Sequence, residues 1–268
     1  MSRVVTLHDR EVIARFIARA PALHLYALGD LDDFFWPFTV WYALEDRGEV
    51  RQLVLTYFGG GGLVLLALCH ERIDAMRALL GGIVHLLPSR LYAHLSPGLA
   101  DVFREKYTLE AHGLYRKMAL VDASRGDDVD VSGAVALGVE DRAEIEVFYA
   151  AAYPGNWFDP RMLETGRYVG LRERGELVSV AGVHVYSRER RAAALGNVAT
   201  HPSARGRGLA TVVTAALCRT LRAECDVIGL NVSAENAAAL ACYQRLGFEE
   251  VIVRTIQHPA RDRGCQDE

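Results

Sequence analysis

Two ten-residue stretches of this chain follow one pattern. Trp41–Val50 (WYALEDRGEV) and Tyr168–Leu177 (YVGLRERGEL) align at a constant offset of 127 residues, sharing Leu, Arg, Gly and Glu, with Asp46 opposite Glu173. In each copy an apolar run meets a turn built on Arg-Gly-Glu and continues into a second apolar run, which is how a β-hairpin reads in sequence. Beyond both hairpins the pattern predicts strand, helix, strand, helix, strand. Hairpin turns favour Gly and charge on their own account, but the shared order of elements argues for one mixed α/β architecture built twice. A length of 268 residues suits that, at roughly 150 residues per domain.

In the first half the predicted elements are a helix over Val12–Ala20, strands over Phe38–Leu44, Val50–Phe58 and Leu63–Cys69, a helix over Glu71–Leu80, a strand over Leu91–Leu95, a helix over Pro97–Tyr107 and a strand over Tyr115–Val121. The run Gly59-Gly60-Gly61-Gly62 reads as a hairpin turn. DASRGDDVDVSG, polar and acidic, reads as a linker over 123–133. The second half is predicted as helices near 140–152 and 160–165, strands over 168–173, 177–186 and 192–199, a helix over 208–224, a strand over 227–232, a helix over 236–246 and a strand over 248–256. The expected domains are therefore 1–122 and 134–257, followed by a frayed tail at 258–268. The aromatic run from Phe34 to Tyr42 is expected in the core of the first half or between the halves, with a wall of an acceptor site as the lesser alternative.

Composition narrows the partners. A formal charge of -4 with scattered Lys and Arg leaves no basic footprint for nucleic acid. The longest apolar run, Leu63–Cys69, falls far short of the ~20 residues a bilayer span needs. The N-terminus meets charge every few residues and lacks the ~7 to 15 residue apolar core of a signal peptide, which predicts a cytoplasmic protein. Five widely spaced cysteines without a C-x-x-C pattern point to reduced thiols and no metal site.

The most informative segment is Ala194–Thr200, then His201-Pro-Ser-Ala-Arg205-Gly206-Arg207-Gly208-Leu209-Ala210-Thr211 opening a helix. A Gly-rich loop at a helix N-terminus offers unpaired N–H groups and the positive end of the dipole to a pyrophosphate. Arg205 and Arg207 add charge for phosphates. Gly206-Arg-Gly208-Leu-Ala-Thr211 also resembles a dinucleotide fingerprint, with Asp226 about 20 residues on. That reading, which would make an oxidoreductase, is disfavoured. Asp226 falls at the start of the next predicted strand, not its end, and the stretch from His201 to Gly206 is too long for the tight turn required.

Arg205-x-x-Gly208-x-Ala210 resembles the [QR]-x-x-G-x-[GA] signature of the GNAT superfamily of acyl-CoA-dependent N-acetyltransferases. It is preceded by Val198-x-Thr200-x-Pro202. Asn231-Val232 then leads to Asn236-x-x-Ala239-x-x-x-Tyr243-x-x-x-Gly247-Phe248, which looks like the family's second motif. The resemblance spans about 134–256, and the two-part arrangement looks like the glycine N-acyltransferase-like branch. In the first half the loop position holds Cys69-His70-Glu71-Arg72-Ile73, with no glycine pair and with Glu71 to repel phosphate, so that copy is expected to be degenerate.

The resemblance implies acetyl-CoA as co-substrate and no metal. It places the pantetheine arm along the backbone of Val198, Ala199 and Thr200, and the pyrophosphate on Arg205 to Thr211. An N–H near Val198, at a bulge, would polarise the thioester carbonyl. Tyr243 is then the general acid, since a phenol of pKa ~10 can protonate a thiolate of ~8.5 at modest cost. Asn236, Ala239 and Tyr243 share a helical face, Ala239 leaving room for the arm, although Tyr243 could equally cap a buried helix and Asn236 serve only as an N-cap. His184 and His201 are candidates for the base or are structural. Asn197 could orient the acceptor amine. Tyr153, Asn156 and Trp157, with Phe158, are expected beside that small-molecule or peptide acceptor, or in the core. Among the cysteines, a covalent intermediate could be placed only at Cys242, which neighbours Tyr243 but points about 100° around the helix, so a covalent route is disfavoured. A homodimer is compatible with the sequence, and the competing reading is a non-catalytic coenzyme A-binding or regulatory module.

Overall fold

The computed structural model describes residues 2–59 and 62–260, the last eight by backbone alone. In chain order the strands are β1 (Arg3–Leu7), β2 (Thr39–Asp46), β3 (Glu49–Gly59), β4 (Gly62–Ala67), β5 (Tyr92–Leu95), β6 (Thr108–Leu120), β7 (Ala134–Leu137), β8 (Tyr168–Glu173), β9 (Glu176–Ser187), β10 (Ala192–Thr200), β11 (Val227–Ser233) and β12 (Phe248–Ala260). The α-helices are α1 (Arg10–Ile17), α2 (Leu25–Gly29), α3 (Ile73–Ile83), α4 (Arg142–Ala152), α5 (Leu209–Leu221) and α6 (Ala237–Arg245). The chain packs as two compact units. Residues 2–116, 233–235 and 252–260 form the first, and 117–232 with 236–251 form the second.

This division differs from the expected one. It falls inside β6, between Arg116 and Lys117, and 123–133 belongs entirely to the second unit. The physical reason is Arg219 of α5, whose Nη2 donates to the carbonyls of Gly126, Asp127 and Val129 at 2.9, 2.8 and 2.6 Å, while Arg222 pairs with Asp127 at 2.5 Å. Acidic residues that read as a solvated linker instead meet a basic helix. At the other end β12 continues to Ala260, so 258–260 are strand, and 261–268 of the expected tail lie outside the described residues.

In the first unit β1 to β4 run antiparallel to their neighbours, β4 pairs parallel with β5, and β5 pairs antiparallel with the end of β12. Helix α1 starts where the Asp9 carboxylate accepts the N–H of Glu11 and Val12 (2.9 and 3.1 Å) and buries Ile13, Phe16 and Ile17. Phe35 and Trp41 are buried, as the aromatic run requires, with Trp36 stacked on Trp41. The Gly-rich turn joins β3 to β4 through the Gly59–Gly62 pair, its two central glycines lying outside the described residues. One predicted helix is absent. Over Pro97–Tyr107 only a 3-10 turn forms, Ala100–Phe103; Gly98 at φ +84° separates it from Pro97, and Leu99, Phe103 and Tyr107 are buried, the Tyr107 hydroxyl donating to the carbonyls of Leu87 and Pro88. Two strands escaped the sequence reading, β1 and β7, each of five residues or fewer.

The second unit repeats the plan. Strands β7 to β10 are antiparallel neighbours and β10 pairs parallel with β11. Helix α5 buries Val213, Leu217 and Leu221. The helix expected at 160–165 is a 3-10 turn, capped by Asp159 and closed by Gly166 at φ +62°.

The 127-residue repeat is visible in the backbone. Arg47 and Gly48 take φ +54° and +78°, Arg174 and Gly175 +53° and +90°, the left-handed pair of a type I′ turn. Each hairpin also carries a register shift at the same place, between Leu44 and Glu45 and between Leu171 and Arg172.

Candidate active site

Strands β10 and β11 are paired only from Ala192–Val227 to Leu195–Leu230. Both continue beyond, β10 to Thr200 and β11 to Ser233, so they part company and the Gly196–Thr200 edge has no strand partner on that side among the described residues. The opposite edge stays bonded to β9, with Ala199 facing Val180 and Thr200 facing Ser179. Between Gly196 and Ala199 the register slips, and Asn197 takes φ +54°. This is the bulge expected near Val198.

Two tyrosines hold the bulge. Tyr149 Oη donates to the Asn197 carbonyl at 2.6 Å, and Asn197 Nδ2 donates at 3.1 Å to Tyr168 Oη, which itself donates to the Val183 carbonyl at 3.1 Å. Asn197 Oδ1 is buried and has no protein partner among the described residues, and the same is true of Asn231 Oδ1 on β11 just past the point of divergence. Both are acceptors left over at the place where the strands open.

His184 lies next to this bulge. It occupies the register shift of β9 between Ala194 and Leu195 on the facing strand, and its ring covers Gly196, where a Cβ would lie 1.9 Å from the imidazole. Burial pushes its pKa down to about 4, so the ring is neutral at neutral pH. A base of that strength is poorly matched to an amine at pH 7. The other candidate, His201, caps the turn after β10, its Nδ1 2.8 Å from Ser203 Oγ.

The loop that follows β10 has the shape an anion needs. Gly206 and Gly208 both sit at φ +78°, and the N–H of Thr211 and Val212 return to the Gly208 carbonyl. The N–H groups of Gly206 to Ala210 have no hydrogen-bond acceptor among the described residues. Arg205 is committed to backbone, donating to the carbonyls of Thr200 (3.2 Å) and Ala152 (3.1 Å), which ties the loop to β10 and α4. Arg207 is paired with Glu173 at the β8–β9 hairpin (3.0 Å through Nη1), an exposed pair that a phosphate can replace. Thr211 turns its hydroxyl 3.3 Å from Cys242 Sγ, linking α5 to α6.

On α6, Asn236 is the N-cap, its Oδ1 accepting the Ala239 N–H at 3.0 Å. Ala239 is partly exposed and Tyr243 is buried, its ring edge-on to Phe248 at 5.8 Å. In the acceptor-side loop Tyr153 and Trp157 are each 48% exposed, Asn156 is half-buried with an unpartnered buried Nδ2, and Phe158 packs between Tyr149 (5.0 Å) and Tyr168 (5.9 Å). Tyr149 and Tyr168 were not singled out from sequence, because buried tyrosines on a helix and a strand look like ordinary core.

The first unit lacks each of these features. Its strand β4 stops at Ala67, where pairing to β5 also ends, and Ser96 then occupies both backbone groups of Cys69, accepting its N–H (2.9 Å) and donating to its carbonyl (3.0 Å). Helix α3 keeps the left-handed entry, but through Arg72 at φ +57°, where α5 has Gly208. The copy is degenerate because, among its described residues, β4 leaves no edge open beside β5 and no glycine pair precedes α3.

Among the described residues no cluster of His, Cys, Asp or Glu could hold a metal ion, and no helix is long and apolar enough to cross a membrane.

The site is thus an open strand edge with a bulge, leading into a glycine-bare loop at a helix N-terminus within a mixed sheet. Residues 134–248 match the model of the acetyltransferase (GNAT) family. A mycothiol acetyltransferase from Paenarthrobacter aurescens is 33% identical over 111 residues, 40% of this chain and 32% of that protein, so the match spans about a third of the curated relative. A tandem GNAT protein from the clavulanic acid biosynthesis pathway matches the whole of both chains with a TM-score of 0.59 at 18% identity. A Drosophila protein covers 96% of this chain and 98% of its own with a TM-score of 0.71 at 14% identity. A GNAT-family protein from Novosphingobium aromaticivorans covers 78% and 88% with a TM-score of 0.56 at 22% identity. The fold is a tandem GNAT fold with a degenerate N-terminal copy.

Proposed function

We propose that the second unit transfers an acetyl group from acetyl-CoA to a primary amine by direct attack in a ternary complex, within a two-part arrangement like that of glycine N-acyltransferases. The single observation carrying this reading is the open Gly196–Thr200 edge of β10, interrupted by a bulge and running into N–H groups without acceptors.

Bound acetyl-CoA supplies the acyl group as a thioester. The backbone of Val198, Ala199 and Thr200 offers the arm an edge to pair with, as an added strand would. The N–H groups from Gly206 to Ala210 offer the pyrophosphate its donors, with Arg207 exchanging Glu173 for phosphate. The Val198 N–H polarises the carbonyl. Asn197 Oδ1, buried and unpartnered, accepts an N–H of the attacking amine and so orients it. His184, kept neutral by burial, stands one residue from that point. Attack forms the C–N bond and breaks the C–S bond, Tyr243 gives its phenolic proton to the departing sulfur, and the proton shed by the amine nitrogen passes to solvent, from which Tyr243 is reprotonated.

The cysteines support direct attack. Burial pushes Cys218 up to about 12 and Cys225 up to about 11, and raises Cys242, so all three stay as thiols. The burial of Tyr243 is what favours the second reading, a module that binds coenzyme A without turnover. Calorimetry with acetyl-CoA and with NAD, followed by an amine screen with thiol detection, separates the readings. Acetyl-CoA should bind and NAD should not; NAD binding in its place overturns the proposal, and acetyl-CoA binding without turnover on any amine supports the module. Tyr243→Phe should lower kcat about tenfold or more with little change in acetyl-CoA affinity. Unchanged kcat removes Tyr243 from the chemistry.

A further inference from the structure

We infer that the phenols of Tyr149 and Tyr168 form a clamp on the β10 bulge that aims the Val198 N–H, making both tyrosines positioning residues for the acyl transfer proposed above, on which reading this inference rests.

The geometry follows from the planarity of one peptide bond. The Asn197 carbonyl and the Val198 N–H belong to the same trans peptide unit and point in opposite directions. Tyr149 Oη holds that carbonyl at 2.6 Å, so it also sets the direction of the N–H on the other side of the plane. A carbonyl that accepts a strong hydrogen bond polarises its own peptide, which makes that N–H a better donor. Asn197 sits at φ +54°, in the left-handed region that Asn tolerates better than most L-residues. The second hold is Tyr168, whose hydroxyl accepts from Asn197 Nδ2 and donates to the Val183 carbonyl, both at 3.1 Å.

Packing the two rings would need neither hydroxyl, yet both converge on one residue. Phe158 lies between the rings, 5.0 Å from Tyr149 and 5.9 Å from Tyr168, and Phe148 stacks edge-on to Tyr149 at 5.4 Å, so helix, loop and strand fix both phenols together. Both are almost fully buried, and that burial raises their pKa values, so they remain protonated donors at any working pH. The degenerate copy is an internal control. At the position of Tyr168 it has Trp41, whose Nε1 donates to Thr39 Oγ1, and the strand that would carry a bulge ends at Ala67. The clamp is missing where there is no bulge to hold.

The test is Tyr149→Phe, which removes one oxygen and leaves the ring packing. Two readouts are taken: steady-state kinetics, and the infrared carbonyl band of acetyl-CoA labelled with carbon-13 at the carbonyl, bound without acceptor. In the wild type the band should lie below that of free acetyl-CoA. In the variant most of that shift should be lost and kcat should fall about tenfold or more, with KM for acetyl-CoA within about threefold of wild type. A folded Tyr149→Phe protein with wild-type kcat and an unmoved band overturns the clamp alone. Wild-type protein that does not bind acetyl-CoA overturns both the clamp and the function. Tyr168→Phe covers the case in which Tyr149→Phe does not fold: loss of band shift supports the clamp, and an unchanged band overturns it.

Discussion

His184 and Asp30 give the protein opposite pH signatures. Burial lowers the His184 pKa from 6.5 to about 4. Between those values the unfolded chain binds a proton that the native state does not, so stability rises with pH across that window and is lost as pH falls through it. Asp30 of the first unit is 5% exposed, and burial raises its carboxyl from 3.8 to about 8. There the native state keeps a proton that the unfolded chain has released, so this group's contribution falls as pH rises from 3.8 to about 8. Asp30→Asn is therefore expected to raise Tm more at pH 8 than at pH 4.5, and His184→Gln to flatten the acid limb between about pH 4 and 6.5. Thermal unfolding scans across that range check both, and a Tm gain for Asp30→Asn that does not grow with pH would contradict the first. Neither shift was legible in the sequence, because burial depends on what the rest of the chain places around a residue.

At the scale of elements, the paired hairpins make a symmetric prediction. A Cβ at Gly48 or Gly175 would meet no atom within 4 Å, so Ala at either site brings backbone strain alone. Each substitution should cost about 1 kcal/mol. Denaturant unfolding of the two single variants should give similar losses, and a large loss at one site with none at the other would show that the turns are not equivalent. These turns were readable from Arg-Gly-Glu because a type I′ turn is a local conformation with a local sequence requirement. The helix expected at Pro97–Tyr107 was misread for the complementary reason. Apolar residues spaced for a helix also suit a turn that buries Leu99 and Phe103, so spacing alone does not decide between them.

For the whole molecule, the proposed function predicts one acetyl-CoA per chain, at the Gly196–Thr200 edge of β10. Calorimetric titration should return a stoichiometry near one, and two sites per chain would show that the Ser96 staple does not close the first unit. The sequence by itself determined the repeat, the two hairpins, the glycine-rich turn before α5 and the start of α6, since each rests on residues close together in the chain whose backbone requirements are met locally. It also located the β10 bulge, through resemblance. Only the tertiary structure decided where the two units divide, because Arg219 draws the segment 123–133 onto α5 from about 90 residues away. It alone showed that Arg205 binds backbone, that Arg207 is held by Glu173, and that Tyr149 and Tyr168 meet at Asn197. Those contacts join residues up to 53 positions apart, and hydrogen bonds over such separations leave no periodic trace for a sequence to display.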